Sequence, residues 1–237
     1  MPDPGPRREA GPRFFGRRLG RPLRANARTL IDSLLPRIAI ARPQVGAIID
    51  PIALFPRPVR EVWLEIGFGG GELLAAQAAA HRDVGVVGSE VFVNGIVALL
   101  RQVQRDALDN VRVFPDDVRL LFPALPDACL ARVFVLFPDP WPKKRHAERR
   151  FIGPENLPIL ARLMRADAEL RVATDEPVYQ EWALEQLQES TDFESATADP
   201  TIRPADWPPT RYEAKALREG RRPIYLRYVR KNYPTVN

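Results

Sequence analysis

From residue 61 onward, short apolar runs alternate with segments of helical periodicity, and this alternation restricts the chain to few architectures. Strands are expected at 62–66, 84–88, 111–114, 132–137 and 169–173, and helices at 72–80, 94–105, 155–164 and 178–188. That order builds a mostly parallel sheet with helices on both faces, the doubly wound, Rossmann-like α/β class. A late alternating run at 223–229 reads as an antiparallel C-terminal edge strand. Upstream, 29–40 is helix-like but interrupted by Pro36, and 41–60 holds Pro43, Pro51, Pro56 and Pro58, which makes it an irregular connector. The Pro-rich stretch 199–210 is a second connector. The chain therefore divides into an arm at 1–28, a helix with its connector at 29–60, and the α/β domain at 61–237.

The first strand runs straight into Glu65-Ile66-Gly67-Phe68-Gly69-Gly70-Gly71-Glu72. Strand, glycine turn and helix together place a ligand at the carboxyl edge of the sheet. Gly67 and Gly69 admit positive φ and let that ligand approach the backbone. A dinucleotide fingerprint needs a glycine at the sixth position counted from Gly67, and that position is Glu72. Glu65 and Glu72 flank the loop and would repel a pyrophosphate. They suit a ligand that carries an ammonium and a sulfonium, as S-adenosylmethionine does. Glu90, closing the second strand, can take both ribose hydroxyls. After the third strand, Asp117 or its neighbour Asp116 can accept from the adenine amino group. A nicotinamide-type oxidoreductase is the competing reading of the loop alone.

Composition removes several chemistries. The single cysteine, Cys129, excludes an internal disulfide and a multi-cysteine zinc site, and two histidines, His81 and His146, leave little for a metal centre. No metal is expected. A Ser-His-Asp hydrolase is hard to assemble from the same two histidines. No apolar run approaches the roughly 18–20 residues that span a bilayer, and the N-terminus lacks the apolar core of a signal peptide. A cytoplasmic protein is the expectation, with no membrane and no required protein partner.

The charge balance, 35 Lys and Arg against 30 Asp and Glu, is only mildly basic, but its distribution is uneven. Eight arginines and one acid lie between Arg7 and Arg28, and five basic residues, one histidine and one acid lie between Lys143 and Arg150. Both runs sit beside aromatics (Phe14 and Phe15; Trp141 and Phe151), a pattern that suits phosphate and base contacts in RNA. Residues 1–28, without apolar periodicity, read as an arm that is unstructured until a polyanion orders it.

The fourth strand ends Phe137-Pro138-Asp139-Pro140-Trp141-Pro142-Lys143-Lys144-Arg145-His146. Two prolines fix the Asp139 carboxylate where the methyl donor would face it. Trp141 offers either a stacking face or a packing surface. The loop differs from the Asn/Asp-Pro-Pro-aromatic motif of amino-group methyltransferases, since one proline separates Asp139 from Trp141.

Together with Phe-Gly-Arg-Arg at 15–18, Arg-Arg-Phe at 149–151, Ala-Thr-Asp at 173–175 and Thr-Arg-Tyr-Glu at 210–213, these motifs strongly resemble the bacterial tRNA (guanine-N7)-methyltransferases. The resemblance runs from about Phe14 to Tyr228 and implies a class I S-adenosylmethionine-dependent methyltransferase fold. It implies a tRNA-modifying enzyme that methylates N7 of the variable-loop guanine, position 46 in standard tRNA numbering. It further implies donor contacts at Glu65, Glu90 and Asp117, and a double role for Asp139 in donor binding and catalysis. Substrate contacts are implied at Lys143, Asp175, Thr210, Arg211, Tyr212 and Glu213, and RNA contacts along Arg145, His146, Arg149 and Arg150. The chain departs from the family at Arg165-Ala166-Asp167-Ala168, where a Pro-Gly-Gly turn is usual. An inactive RNA-binding relative, or a methyltransferase acting on another base, is the alternative.

Overall fold

Strand β1 (Glu61–Ile66) is buried at five of its six positions because both of its faces are covered. Val62, Leu64 and Ile66 point into one core, and Trp63 points into the other. In the computed structural model, which describes residues 18–232, β1 lies at the centre of a seven-stranded sheet of order β3-β2-β1-β4-β5-β7-β6. β2 (Val84–Ser89), β3 (Val111–Phe114), β4 (Leu130–Leu136) and β5 (Met164–Thr174) run parallel with it. β7 (Ile224–Arg230) and β6 (Phe193–Ser195) are antiparallel. Helices α3 (Glu72–Ala80) and α4 (Val93–Arg105) cover the Trp63 face, and α5 (Leu157–Leu163) and α6 (Pro177–Glu189) cover the other. The chain order reverses between β1 and β4, so their carboxyl ends open the crevice in which such folds bind ligands.

The expected alternation is present within a residue or two at most boundaries. The antiparallel C-terminal strand is not the edge: β7 sits one place inside it, because the three-residue β6 pairs with its outer side. Strand β5 begins at Met164, earlier than expected. Between the pairs Leu130↔Met164 and Arg132↔Glu169, β5 advances five residues while β4 advances two, so 165–168 loops out. Asp167 takes φ 62° there. The left-handed turn that glycine usually makes is made by an aspartate, one of the few residues that tolerate it.

Two segments expected to be irregular carry structure. Helix α1 (Ala25–Ser33) starts inside the predicted arm and buries Ala27 and Leu30, and Pro36 opens α2 (Leu35–Ile38) instead of breaking it. The arm therefore ends before Ala25. Of its described part, the Arg18 carbonyl accepts from Val93 N at 3.0 Å, Gly20 N donates to Asn94 Oδ1 at 2.9 Å, and Asn94 Nδ2 donates to the Arg21 carbonyl at 3.0 Å. This stretch docks on the start of α4; residues 1–17 lie outside the described residues. In the second segment, Trp207 from the Pro-rich connector is 2% exposed and faces the Arg171 guanidinium at 5.5 Å. The connector is thus a lid on the core.

One buried amide ties three elements together. Asn110 Nδ2 donates to the carbonyls of Ala78, His81 and Val84 at 2.9–3.0 Å, joining the end of α3 to the starts of β2 and β3. Replacing it leaves buried acceptors without a donor. Asn110→Ala should lower the unfolding free energy by about 2–4 kcal/mol in urea denaturation; a change under roughly 0.5 kcal/mol would show that water replaces the amide without loss.

Candidate active site

The glycine turn is built for close approach. Gly67, Gly69 and Gly71 have φ of 69°, 57° and 74°, and Gly71 is the N-cap of α3. A Cβ on Gly95 of α4 would stand 2.1 Å from the Gly69 carbonyl, so helix and loop touch through bare backbone. Gly67 N is held by the Ser89 carbonyl at 2.8 Å, and Gly69 N donates to Glu90 Oε2 at 2.7 Å. Glu90 Oε1 takes Val91 N and Phe92 N at 2.8 and 2.9 Å. Even with these three donors, burial lifts the Glu90 pKa, and the charge of Asp139 lifts it further.

Glu65 stands at the carboxyl end of β1, 4% exposed, and its Oε2 has no hydrogen-bond partner. Burial raises its pKa well above the usual carboxylate range, and Glu72 and Glu90 add to the rise. The pKa of Asp139, in the loop after β4, is likewise raised by loss of water. Glu65 and Glu72 line one crevice with Gly67, Phe68 and Leu73 on one side and Leu136, Phe137, Thr210 and Tyr212 on the other; the Glu90 charge also acts on Glu65, and that of Asp139 on Glu90. An orphaned buried carboxylate among other acids calls for a cationic ligand. The ammonium and sulfonium of S-adenosylmethionine fit that demand; a pyrophosphate does not.

Helix α7 (Arg211–Arg218) brings the predicted segment 210–213 over this turn. Thr210 Oγ1 accepts from Glu213 N, and Glu213 Oε2 accepts from Thr210 N, a capping box. Glu213 is buried and also holds Tyr225 Oη at 2.5 Å and Arg203 Nε at 3.0 Å. It fixes α7 and does not face the opening. Arg211 pairs with Glu72 at 3.4 Å, and Tyr212 lies against Gly69 and stacks on Phe137 with centroids 6.3 Å apart.

The other predicted residues separate into two kinds. Lys143 and Arg145 are exposed, while His146 and Arg149 pack on Trp141, edge-on at 5.9 Å and face-on at 5.1 Å. Crowding, then Arg149 and Arg145, lower the His146 pKa. Asp175 is engaged by Arg221 Nε at 2.6 Å. Both Asp117 oxygens are engaged by the Arg119 guanidinium, and Oδ1 also caps Arg119 N; the Asp116 carboxylate receives Asp117 N and Arg18. Arg150 is a correction: it is buried and donates to the carbonyls of Pro140 and Trp141, so it faces the loop instead of solvent. Phe137, through its stack on Tyr212, and Gly95, through its contact with Gly69, also shape the site, and neither stands out by residue type in the sequence. For the start of α7, the T-x-x-E spacing at 210–213 was a usable signal of a helix start.

A family model described as putative methyltransferase matches residues 59–226. A tRNA (guanine-N(7)-)-methyltransferase of Paramagnetospirillum magneticum is 57% identical over 223 residues, 93% of each chain. The chain belongs to the tRNA (guanine-N7)-methyltransferase family. A relative of the same name from Rhodospirillum rubrum is 52% identical over 92% of this chain and 88% of its own. Among solved structures, the 16S rRNA methyltransferase KamB superposes with a TM-score of 0.56 at 15% identity, over 81% of this chain and 99% of its own. That likeness shows the class I methyltransferase fold. Among the described residues no helix is long and apolar enough to cross a membrane, and no cluster of metal-ligating side chains is present.

Because the folded pKa of Glu65 lies above its unfolded value, the native state binds more protons between the two, and stability falls as pH rises through that window. Glu65→Gln should therefore melt roughly 2–6 °C higher than the parent at pH 7–8. The difference should shrink toward pH 4, where the unfolded carboxylate also protonates. A difference that is absent at pH 8, or that grows on acidification, would reverse the assignment of Glu65 as a repelled buried acid.

Proposed function

We propose that this protein transfers the methyl group of S-adenosylmethionine to N7 of guanine in tRNA, at position 46 of the variable loop. The observation that carries the reading is the crevice lined by Glu65 and Glu72, in which one oxygen of buried Glu65 has no hydrogen-bond partner and the charges of Glu72 and Glu90 oppose its ionisation. When bound, the donor supplies an electrophilic methyl carbon. Glu65 would hold its ammonium and Glu90 one ribose hydroxyl, since a carboxylate has about four acceptor sites and three backbone amides already fill three of those on Glu90. Gly67 and Gly69 would let the donor lie on the backbone. Of the two acids after β3, Asp116 is the better acceptor for an adenine amino group, because Arg119 occupies Asp117.

Guanine N7 offers a lone pair, so no base is needed beforehand. The protein's task is orientation and charge stabilisation. As the purine gains positive charge, Asp139 would stabilise it while binding the guanine edge, with Asp175 assisting. Thr210, Arg211 and Tyr212 would close the site from the α7 side. Lys143, Arg145, His146 and Arg149, with the arginines of the arm, would hold phosphates and offset the few kcal/mol of unstacking a buried variable-loop base. In this reading the enzyme works in the cytoplasm without a protein partner.

Incubation with labelled donor and unmodified tRNA, followed by nucleoside mapping, should place the label in 7-methylguanosine at position 46; label in another base or position would reject the reading. Asp139→Ala should lower turnover by on the order of 10²–10³-fold with donor affinity within a few-fold of the parent. Arg145→Ala should flatten the slope of log affinity against log salt by about one. Undiminished turnover in the first variant would remove Asp139 from the chemistry, and an unaltered slope in the second would take Arg145 off the RNA.

A further inference from the structure

We propose that Arg150 is a positioning residue: it sets the strand-four loop, and through it the place of Asp139, without touching RNA. Arg150 closes a basic run, yet it is 6% exposed while Lys143, Lys144 and Arg145 lie open to solvent. Its Nε donates to the Pro140 carbonyl at 3.1 Å and its Nη2 to the Trp141 carbonyl at 3.0 Å. These are the first two carbonyls after Asp139. A planar guanidinium presents adjacent donors in a fixed fork, so it can hold two successive carbonyls at once; an ammonium, a point charge on a flexible stem, cannot fix them in the same way.

The loop needs such a hold. Phe137 and Trp141, two residues to either side of Asp139, have φ of 49° and 43°, a conformation that bulky side chains rarely keep unless the surroundings impose it. Behind the guanidinium lies the face of Trp182, 5.0 Å away. Trp182 Nε1 donates to the Ile152 carbonyl at 2.5 Å, and Tyr179 Oη accepts from Ile152 N at 3.1 Å. Tyr179 is fully buried, so α6 is anchored in the core. A continuous chain of contacts therefore runs from α6 through 150–152 to the backbone beside Asp139.

The inference rests on the reading of Asp139 as the group beside the acceptor base. Arg150→Lys keeps the charge and removes the fork, which separates positioning from phosphate binding. We expect its kcat to fall by on the order of 10²-fold, the loss that a misplacement of about 1 Å produces. KM for tRNA and the salt slope should stay within about twofold of the parent, and the Phe137 amide, which the Ala173 carbonyl holds at 2.7 Å, should exchange hydrogen faster. Trp182→Phe keeps the ring and removes its donor to Ile152, and should give a smaller loss, again in kcat. If Arg150→Ala does not fold, these two variants decide. The proposal is overturned if Arg150→Lys keeps parental kcat and exchange rates. It is also overturned if Arg150→Ala acts through KM with a salt slope shallower by about one, the mark of a phosphate contact. Should the parent protein fail to methylate tRNA, the proposed function falls, and the exchange rates alone still test the clamp.

Discussion

The arrangement of the site follows from one unfavourable interaction: a carboxylate held at the end of the central strand, out of water, with no partner on one oxygen and other acids around it. Glu65 is forced there by β1, whose neighbouring residues are buried on both faces and cannot shift register without exposing an apolar side chain. The strand therefore presents the acid in a fixed position. Such a group destabilises the fold. In the proposed function a cation in the crevice would relieve it, so that stability given up at the site would become affinity for a positively charged ligand.

Around that acid the loops are positioned by each other. The glycine turn contacts α4 through the Gly69 carbonyl and Gly95, and its amides are fixed by Ser89 and Glu90 from the next strand. Helix α7 closes over the turn with Tyr212 against Gly69 and Arg211 on Glu72. The strand-four loop stands opposite, joined to α7 by the Phe137–Tyr212 stack and to the rear core by Arg150. Donor side and acceptor side thus share contacts, and a change in either loop reaches the other through a few named atoms.

Much of this was legible along the chain. The alternation of apolar runs and helical segments is local, and it placed β1–β5 and α3–α6 within a few residues. The acids at 65, 90, 116 and 117 were legible for the same reason, since strand ends are marked by abrupt changes in composition. What escaped were features whose cause lies elsewhere in the chain. The edge strand β6 is three residues long and exists because β7 offers it a partner. Trp207 sits in a proline-rich stretch that looks like linker, and only the exposed apolar face over β4 and β5 draws it inward. Asp167 makes a glycine's turn, and sequence shows only that the glycine is missing.

The order of strands and helices along the chain, the glycine turn after β1, the acids at the strand ends and the family motif were legible in sequence alone, because periodicity and residue chemistry act over a few positions. Which member of a motif faces a ligand was decided only by the tertiary structure. Five basic residues between Lys143 and Arg150 look alike in sequence, yet the last of them is buried and bonded to carbonyls. Asp116 and Asp117 are adjacent and identical in type, yet Arg119 engages one and leaves the other toward Arg18. Thr210 and Glu213 share one motif, yet Thr210 lines the crevice while Glu213 is buried and holds Tyr225 and Arg203. In each case burial and the competing hydrogen-bond partner, both set by distant segments, assign the role that residue type leaves open.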